Sequence, residues 1–267
     1  MTDKLFSALL KYWRGRRGMS QLDLALAADV SARHVSFLES GRASPSQDMV
    51  LRLMSTLQVP LRDQNDALRA ADFPARFLAP ALNAIDPAID DAITRMMRQQ
   101  EPYPLTVLSP SYEILRCNQA AQNIFSQFVQ DPSRLQIPLS LYALVFDPQL
   151  ARPFIQNWAQ IGRSMIARLH REALSRSNDA RLWSLLEQVL AYPEVPQAWR
   201  QPDFSDALEP TLSLVLARGP HTLRFFTVLT TIAAPQQITL DELRIESYFP
   251  LDEQTRLACD FYMQKHA

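Results

Sequence analysis

The stretch SQLDLALAADVSARHVSFLESGR, residues 20–42, holds two helix-start signals with very little chain between them. Ser20 can cap a helix from Gln21 to Ala28, because a serine hydroxyl accepts from the free amides of a first turn. Ser31 can cap a second helix, Ala32 to Glu39, which Gly41 ends by taking a left-handed backbone. Only Asp29 and Val30 intervene outside the caps, which leaves room for a tight turn and nothing else. Leu22, Leu24, Leu26, Val30, Val35 and Leu38 are expected to share one core, with the small Ala25 where the helices cross. This is the pattern of a helix-turn-helix.

Such spacing suits a DNA groove for a physical reason. The second helix must protrude so that its first side chains enter a major groove ~12 Å wide. With Val35 and Leu38 turned inward, Ala32, Arg33, Ser36 and Phe37 face outward and His34 lies to one side. Arg33 can bond guanine O6 and N7 with two parallel donors, and Ala32 and Phe37 can press on thymine methyls. Ser20 and Gln21 stand at the start of the first helix, where unpaired amides attract phosphate. Ser31 stands at the same edge of the second helix, and Arg42 follows it within reach of the backbone. The candidate DNA contacts are therefore Ser20, Gln21, Ser31, Ala32, Arg33, His34, Ser36, Phe37 and Arg42. The plain alternative for these side chains is a solvated charged surface, and for His34 the two readings stand level.

Outward from the motif, Leu5, Leu9, Leu10 and Trp13 form a helical stripe. Ser46 caps a helix carrying Met49, Val50, Leu53 and Leu57, stopped at Val59-Pro60, and Leu61 to Ala71 supplies a fifth. Residues 4–72 thus form an all-α reading domain. Residues 73–87 carry Pro74, Pro80 and Pro87 and read as a linker. Residues 88–267 begin with a helix capped by Asp86 and started by Pro87, with Ile89, Ile93 and Met96 or Met97 as its apolar stripe. Two short strands follow, Leu105–Leu108 and Tyr112–Cys117. Helical patterns run over Asn118–Phe128, Asp147–Leu174 and Asn178–Tyr192. Strands return at Thr211–Ala217, with Leu212, Leu214 and Leu216 on one face, at Thr222–Ala233 and at Leu243–Phe249, before a closing helix capped by Asp252. The chain is α+β: a five-helix head and a mixed α/β domain.

Composition narrows the function without naming it. The 267 residues are 47% hydrophobic and carry a net charge of −1, so global basicity does not announce a nucleic-acid binder. The distribution is uneven: residues 4–56 hold eight Lys/Arg against four Asp/Glu, and residues 81–267 hold sixteen against twenty. A basic head on a near-neutral body fits DNA reading. Cys117 and Cys259 belong to no spaced motif, which argues against zinc and disulfides and fits a reducing compartment. No apolar run approaches the ~20 residues a membrane helix needs. Met1–Phe6 has no signal-peptide core, so a cytoplasmic protein is expected. Five glycines, at positions 15, 18, 41, 162 and 219, form no phosphate loop. No nucleophile elbow is present, so the expectation is a non-enzyme without cofactor or metal. His170, His221 and His266 lack ligand spacing, and Asp241, Glu242, Glu246, Asp252 and Glu253 read as caps and solvated faces.

These blocks resemble known families. Residues 5–72 resemble the Cro/C1-type (XRE) helix-turn-helix family through MSQLDLA, VS-x-x-x-VSFLESGR and PS-x-x-x-VLRLMSTLQVP. The resemblance implies that Gln21 contacts phosphate, that Ala32, Arg33 and Phe37 read bases, and that Arg14 and Glu39 form a structural ion pair. Asp29 stands where that family usually has glycine; aspartate tolerates left-handed backbone better than most residues, so the turn is expected to survive. Further on, EPYPLTVLSPSYEILRCNQAA, FDPQLARPFIQNWAQI and TLDELRIESYFPLDEQTR resemble the MmyB-like regulators, across about residues 100–260. That resemblance implies a PAS-like ligand-sensing domain and a small apolar effector, fatty-acid-like in character.

Phe154, Trp158, Met165, Trp183, Phe225 and Leu229 are the candidate ligand contacts, and Trp199 shares their character. Periodicity alone does not separate such a lining from an ordinary core. A homodimer is expected, because helix-turn-helix heads usually read two half-sites one helical turn apart. Two alternatives stay open: a C-terminal enzyme targeted by the head, or an interaction module without ligand, for instance one touching RNA polymerase.

Overall fold

Serine caps set where the N-terminal helices begin in the computed structural model, which describes residues 3–175, 179–201 and 213–265. The helices are α1 (Asp3–Arg16), α2 (Gln21–Ala27), α3 (Ala32–Glu39), α4 (Gln47–Thr56) and α5 (Leu61–Ala70). Ser20 Oγ accepts from Asp23 N–H (3.1 Å) and the Asp23 carboxylate accepts from Ser20 N–H (2.8 Å), a reciprocal capping box. Ser31 and Ser46 cap α3 and α4 in the same one-sided way, accepting from His34 and Met49 amides. The turn between α2 and α3 survives as expected: Asp29 takes φ 52°, and Val30 N–H donates to Ala25 O at 2.9 Å. Gly41, at φ 69°, lets Arg42 N–H reach back to Phe37 O at 2.8 Å and closes α3.

Phe6, Leu10, Trp13, Leu24, Ala25, Val35, Leu38, Val50, Leu53 and Met54 make the head's core. Three expected core residues lie outside it: Leu5, Leu22 and Leu26 are 56%, 57% and 73% exposed. Leu22 and Leu26 sit four apart, on the opposite side of α2 from Leu24, so one helix cannot bury all three against one neighbour. Phe6 takes the place expected of Leu5.

The second unit is built on one antiparallel sheet. Its elements run α6 (Pro87–Gln99), β1 (Leu105–Leu108), β2 (Glu113–Cys117), α7 (Gln119–Gln127), β3 (Leu139–Ser140), α8 (Leu141–Phe146), α9 (Trp158–Ser175) and α10 (Ala180–Leu190). Then come β4 (Ser213–Arg218), β5 (His221–Thr230), β6 (Arg244–Pro250) and α12 (Glu253–Lys265), while the short α11 (Ile238–Glu242) between β5 and β6 falls almost wholly in the first unit. The strand order is β3-β2-β1-β6-β5-β4, which sets the first long hairpin beside the last strand. Strand β1 pairs with β6 in a register that places Thr106 opposite Glu246.

The helix expected from Asp147 starts only at Trp158. Asp147 ends α8 in extended backbone, Pro153 lies in a 3₁₀ turn, and Ile155 bridges to Leu216. Strand β3 and α8 had no clear periodicity and are new. Asn178, Thr211, Leu212 and His266, which the sequence reading placed in or near elements, lie outside the described residues.

The chain divides into two compact units, residues 1–85 with 232–241, and residues 86–231 with 242–267. The proline-rich stretch read as a linker is tied to α5. Buried Asn65 accepts from the Arg76 and Phe77 amides and donates to Phe77 O. The β5–β6 connection also belongs to the first unit. Ile238 N–H donates to Leu78 O (2.8 Å) and Thr239 Oγ1 to Pro80 O (2.5 Å). Asp241 Oδ2 accepts from Leu61 N–H (3.0 Å), so a residue 180 positions away caps α5, whose own N-cap Pro60 has no side-chain acceptor.

Candidate functional site

In the head, one carboxylate joins three helices. Glu39, at the end of α3, accepts from Arg14 Nε (2.6 Å) and Nη2 (3.0 Å) and from Gln21 Nε2 (2.7 Å). Arg14 Nη1 also donates to Met19 O at 2.7 Å, so the guanidinium ties α1 to the start of α2 as well. Burial works against the Glu39 charge, but the bonds from Arg14 and Gln21 outweigh it and hold its pKa below the ordinary carboxylate value. The ion pair expected from the family resemblance is thus present. Gln21 is oriented by it, and its amide nitrogen keeps a second hydrogen for another acceptor.

Around this anchor, Ser20, Ser31, Arg33 and Arg42 are exposed, and Gln21, Ala32, His34, Ser36 and Phe37 are half-buried. Val35 and Leu38 are fully buried on the opposite face of α3. The Arg33 guanidinium lies 5.1 Å from the Phe37 ring centroid, one helical turn on, so the two side chains form a single outward unit.

The interior of the second unit has an apolar part and a polar part. A row of rings runs Tyr112–Tyr142 (5.2 Å between centroids), Tyr142–Phe146 (6.1 Å), Phe146–Trp158 (5.7 Å) and Trp158–Trp199 (5.4 Å). Trp199 fits against α9 because residue 162 is glycine: a Cβ there would stand 2.9 Å from the indole. Trp158 Nε1 donates to Val145 O (3.1 Å), and His170 Nε2 bonds Trp199 O (3.1 Å).

At the Tyr112 end the row meets charge. Tyr112 donates to Glu172 Oε1 (2.5 Å), and Arg244 Nη2 donates to Glu172 Oε2 (2.9 Å). The guanidinium carbons of Arg168 and Arg244 lie 5.2 and 4.4 Å from the Tyr112 ring centroid. Burial pushes the Tyr112 phenol up to about 12, so it stays a donor. Buried Glu246 accepts from Tyr248 (3.0 Å), and burial raises its carboxyl above the ordinary range. Among the described residues, no three His, Cys, Asp or Glu side chains gather as a metal site.

Of the expected ligand contacts, Trp158, Met165 and Phe225 are buried in this core, and Phe154 and Trp183 pack against it. Leu229 does not join them. It shares the parity of Phe225 but is 43% exposed, beyond the Ser213↔Phe226 pair where the described β4–β5 ladder begins. The acidic cluster divides: Asp241 and Asp252 cap helices and Glu253 is exposed, but Glu242 and Glu246 are buried rather than solvated. Sequence reasoning passed over Tyr112, Tyr142, Arg168, Glu172 and Arg244. Only the Arg168–Glu172 spacing on one helix carried a signal, and it is equally that of a surface ion pair.

A helix-turn-helix head beside a ligand-binding domain defines a DNA-binding transcription regulator. Residues 10–64 match the helix-turn-helix family, and residues 89–260 match the MmyB-like transcription regulator ligand binding domain. The chain belongs to this MmyB-like family. No curated protein matches it. Among solved structures it is similar to that of an RNA-binding Light-Oxygen-Voltage receptor, at 12% identity and a TM-score of 0.29, over 97% of this chain. The match spans 56% of that receptor chain, and at this score it carries no argument. No helix among the described residues is long and apolar enough to cross a membrane.

Proposed function

We propose that the protein is a sequence-specific regulator that binds double-stranded DNA as a homodimer and responds to a small apolar, fatty-acid-like effector in its C-terminal unit. The observation that carries the DNA part is the Arg33–Phe37 pair standing outward on a helix whose other face is fully buried. Ala32, Arg33 and Phe37 then read bases. Ser20, Gln21, Ser31, His34, Ser36 and Arg42 meet the phosphate backbone, with Glu39 holding Gln21 in place. A cytoplasmic setting and the absence of a catalytic role belong to the same reading.

Coupling requires that the effector bind two arrangements of the protein with different affinity. The chain path supports such coupling. It passes between the units at 85/86, 231/232 and 241/242, so strands β5 and β6 are covalently continuous with the segment that caps α5.

Binding-site selection with purified protein tests the DNA assignment. Arg33→Ala should relax preference at one base pair per half-site, a loss of ~1–3 kcal/mol in discrimination, and Arg42→Ala should weaken binding to all sequences alike. Equal, sequence-blind losses from both would show that Arg33 is misassigned. Native mass spectrometry tests the rest: a dimer mass with a co-purifying apolar molecule is expected. A monomer would remove the two-half-site scheme.

A further inference from the structure

Residues 232–241 leave the sheet and return to it as one excursion. The last rung of the β5–β6 ladder, Thr230↔Ile245, closes behind them, yet these residues belong to the compact unit of the head. We propose that this strap is the control element of the head. Asp241 is a positioning residue that holds α5, and through it the DNA-contacting helices, in their reading arrangement, and β6 passes its state to Asp241 along the chain. The proposal rests on the reading of the head as DNA-binding and adds the route by which the second unit regulates it.

Bonds from the strap converge on α5. Asp241 Oδ2 accepts from the Leu61 amide, the first of that helix, where Pro60 offers no side-chain acceptor. A helix start without such an acceptor has an orphan amide, so the end of α5 depends on chain 180 positions away. Ile238 N–H and Thr239 Oγ1 donate to Leu78 O and Pro80 O. That stretch is itself clasped to α5, where buried Asn65 bonds Arg76 and Phe77. Ile238 and Leu240 are buried as well. From α5 the path to the DNA face is short. Helix α5 packs on α1 and α1 on α3, and Arg14 of α1 holds the Glu39 carboxylate that orients Gln21.

At its other end the strap runs straight into the second unit. Arg244, three positions after Asp241, opens β6, pairs with Leu108 of β1 and donates to Glu172. Three residues span at most ~10 Å, so little slack separates the start of β6 from the α5 cap. The docked strap also carries two costs. Ala234 takes φ 48°, a left-handed backbone that its Cβ disfavours, and Gln237 Oε1 is buried without a hydrogen-bond partner. Release of the strap relieves both. That narrows the gap between docked and released forms, as an element with two states requires.

The test is hydrogen–deuterium exchange of the full-length protein, free and saturated with a duplex recovered by binding-site selection. Because coupling is reciprocal, DNA on the head should slow exchange in α3 and also at residues 226–231 and 242–247, which flank the strap. Asp241→Ala should abolish that remote slowing and keep the slowing in α3. It should also lower affinity for the duplex ~5-fold or more, the lower end of a typical coupling. Asp241→Asn keeps an oxygen acceptor for the Leu61 amide and should restore both. Should Asp241→Ala fail to fold, Thr239→Val removes only the bond to Pro80 and should weaken the remote slowing. No change at 226–231 and 242–247 when the unmodified protein binds DNA would overturn the strap and leave the DNA reading standing. Remote slowing that survives Asp241→Ala would reduce Asp241 to a cap and overturn it as well. If selection recovers no duplex, the DNA reading itself falls, and the strap with it.

Discussion

The head and the sheet domain each bury charge, but they finish the job differently. In the head, Glu39 is 4% exposed and receives three donors, while Arg14 spends its remaining contact on Met19 O. Around Tyr112, Arg244 bonds the Glu172 carboxylate, and Arg168 Nε and Arg244 Nη1 have no hydrogen-bond partner. A closed network holds helices in one arrangement, because removing any member leaves a buried charge exposed to the cost of desolvation. An open network leaves part of its hydrogen-bonding capacity unused inside the core, at a cost in desolvation. The contrast separates a fully bonded buried charge from a partly bonded one.

The comparison is broken most directly by opening the closed network. Glu39→Ala should cost ~3–5 kcal/mol of stability in the head, because Arg14 is left without its carboxylate; chemical denaturation would show it. A loss below ~1 kcal/mol would mean the pair is surface-like. Next in size, Gly162→Ala should destabilise the sheet domain by ~1–3 kcal/mol, since the added methyl meets the Trp199 ring and overpacks the aromatic row. A change in near-ultraviolet circular dichroism should accompany it, and an unchanged spectrum would show that the row tolerates a shift of Trp199.

Ser31→Ala should cost about 1 kcal/mol by leaving the His34 amide uncapped, read as a lower midpoint for the head with the sheet domain unaffected. The smallest effect expected is on pH. The folded pKa of Glu39 lies below its ordinary 4.5, so its contribution is present above that value and is lost as pH falls through the folded pKa. Acid titration of head stability should therefore be flatter in Glu39→Gln, and an identical acid profile would remove Glu39 from the account.

Legibility in the sequence followed the range of the interactions. Ser20, Ser31, Ser46 and Gly41 act on amides within a few residues, and the structure uses all four as caps or stops. Asp29 also behaves locally, in the left-handed turn expected of it. Leu22 and Leu26 were misplaced because alternating leucines satisfy no single helical face, and only neighbours decide which side is buried. The Tyr112 cluster was invisible for a different reason: Tyr112 and Glu172 are 60 positions apart and Glu172 and Arg244 are 72. No local period links residues brought together from a turn, a helix and a strand distant along the chain.

The sequence by itself determined the head. Caps, a two-residue turn and a period-3.6 core act over short distances, and they define a helix-turn-helix whose outward face carries Arg33 and Phe37. It also determined the class of the remainder, through blocks long enough to mark an MmyB-like domain. Only the tertiary structure decided which charges are buried, which of them are fully bonded, and that residues 232–241 return to cap α5. Those outcomes depend on desolvation and on partners distant along the chain, and both exist only once the sheet and helices have packed.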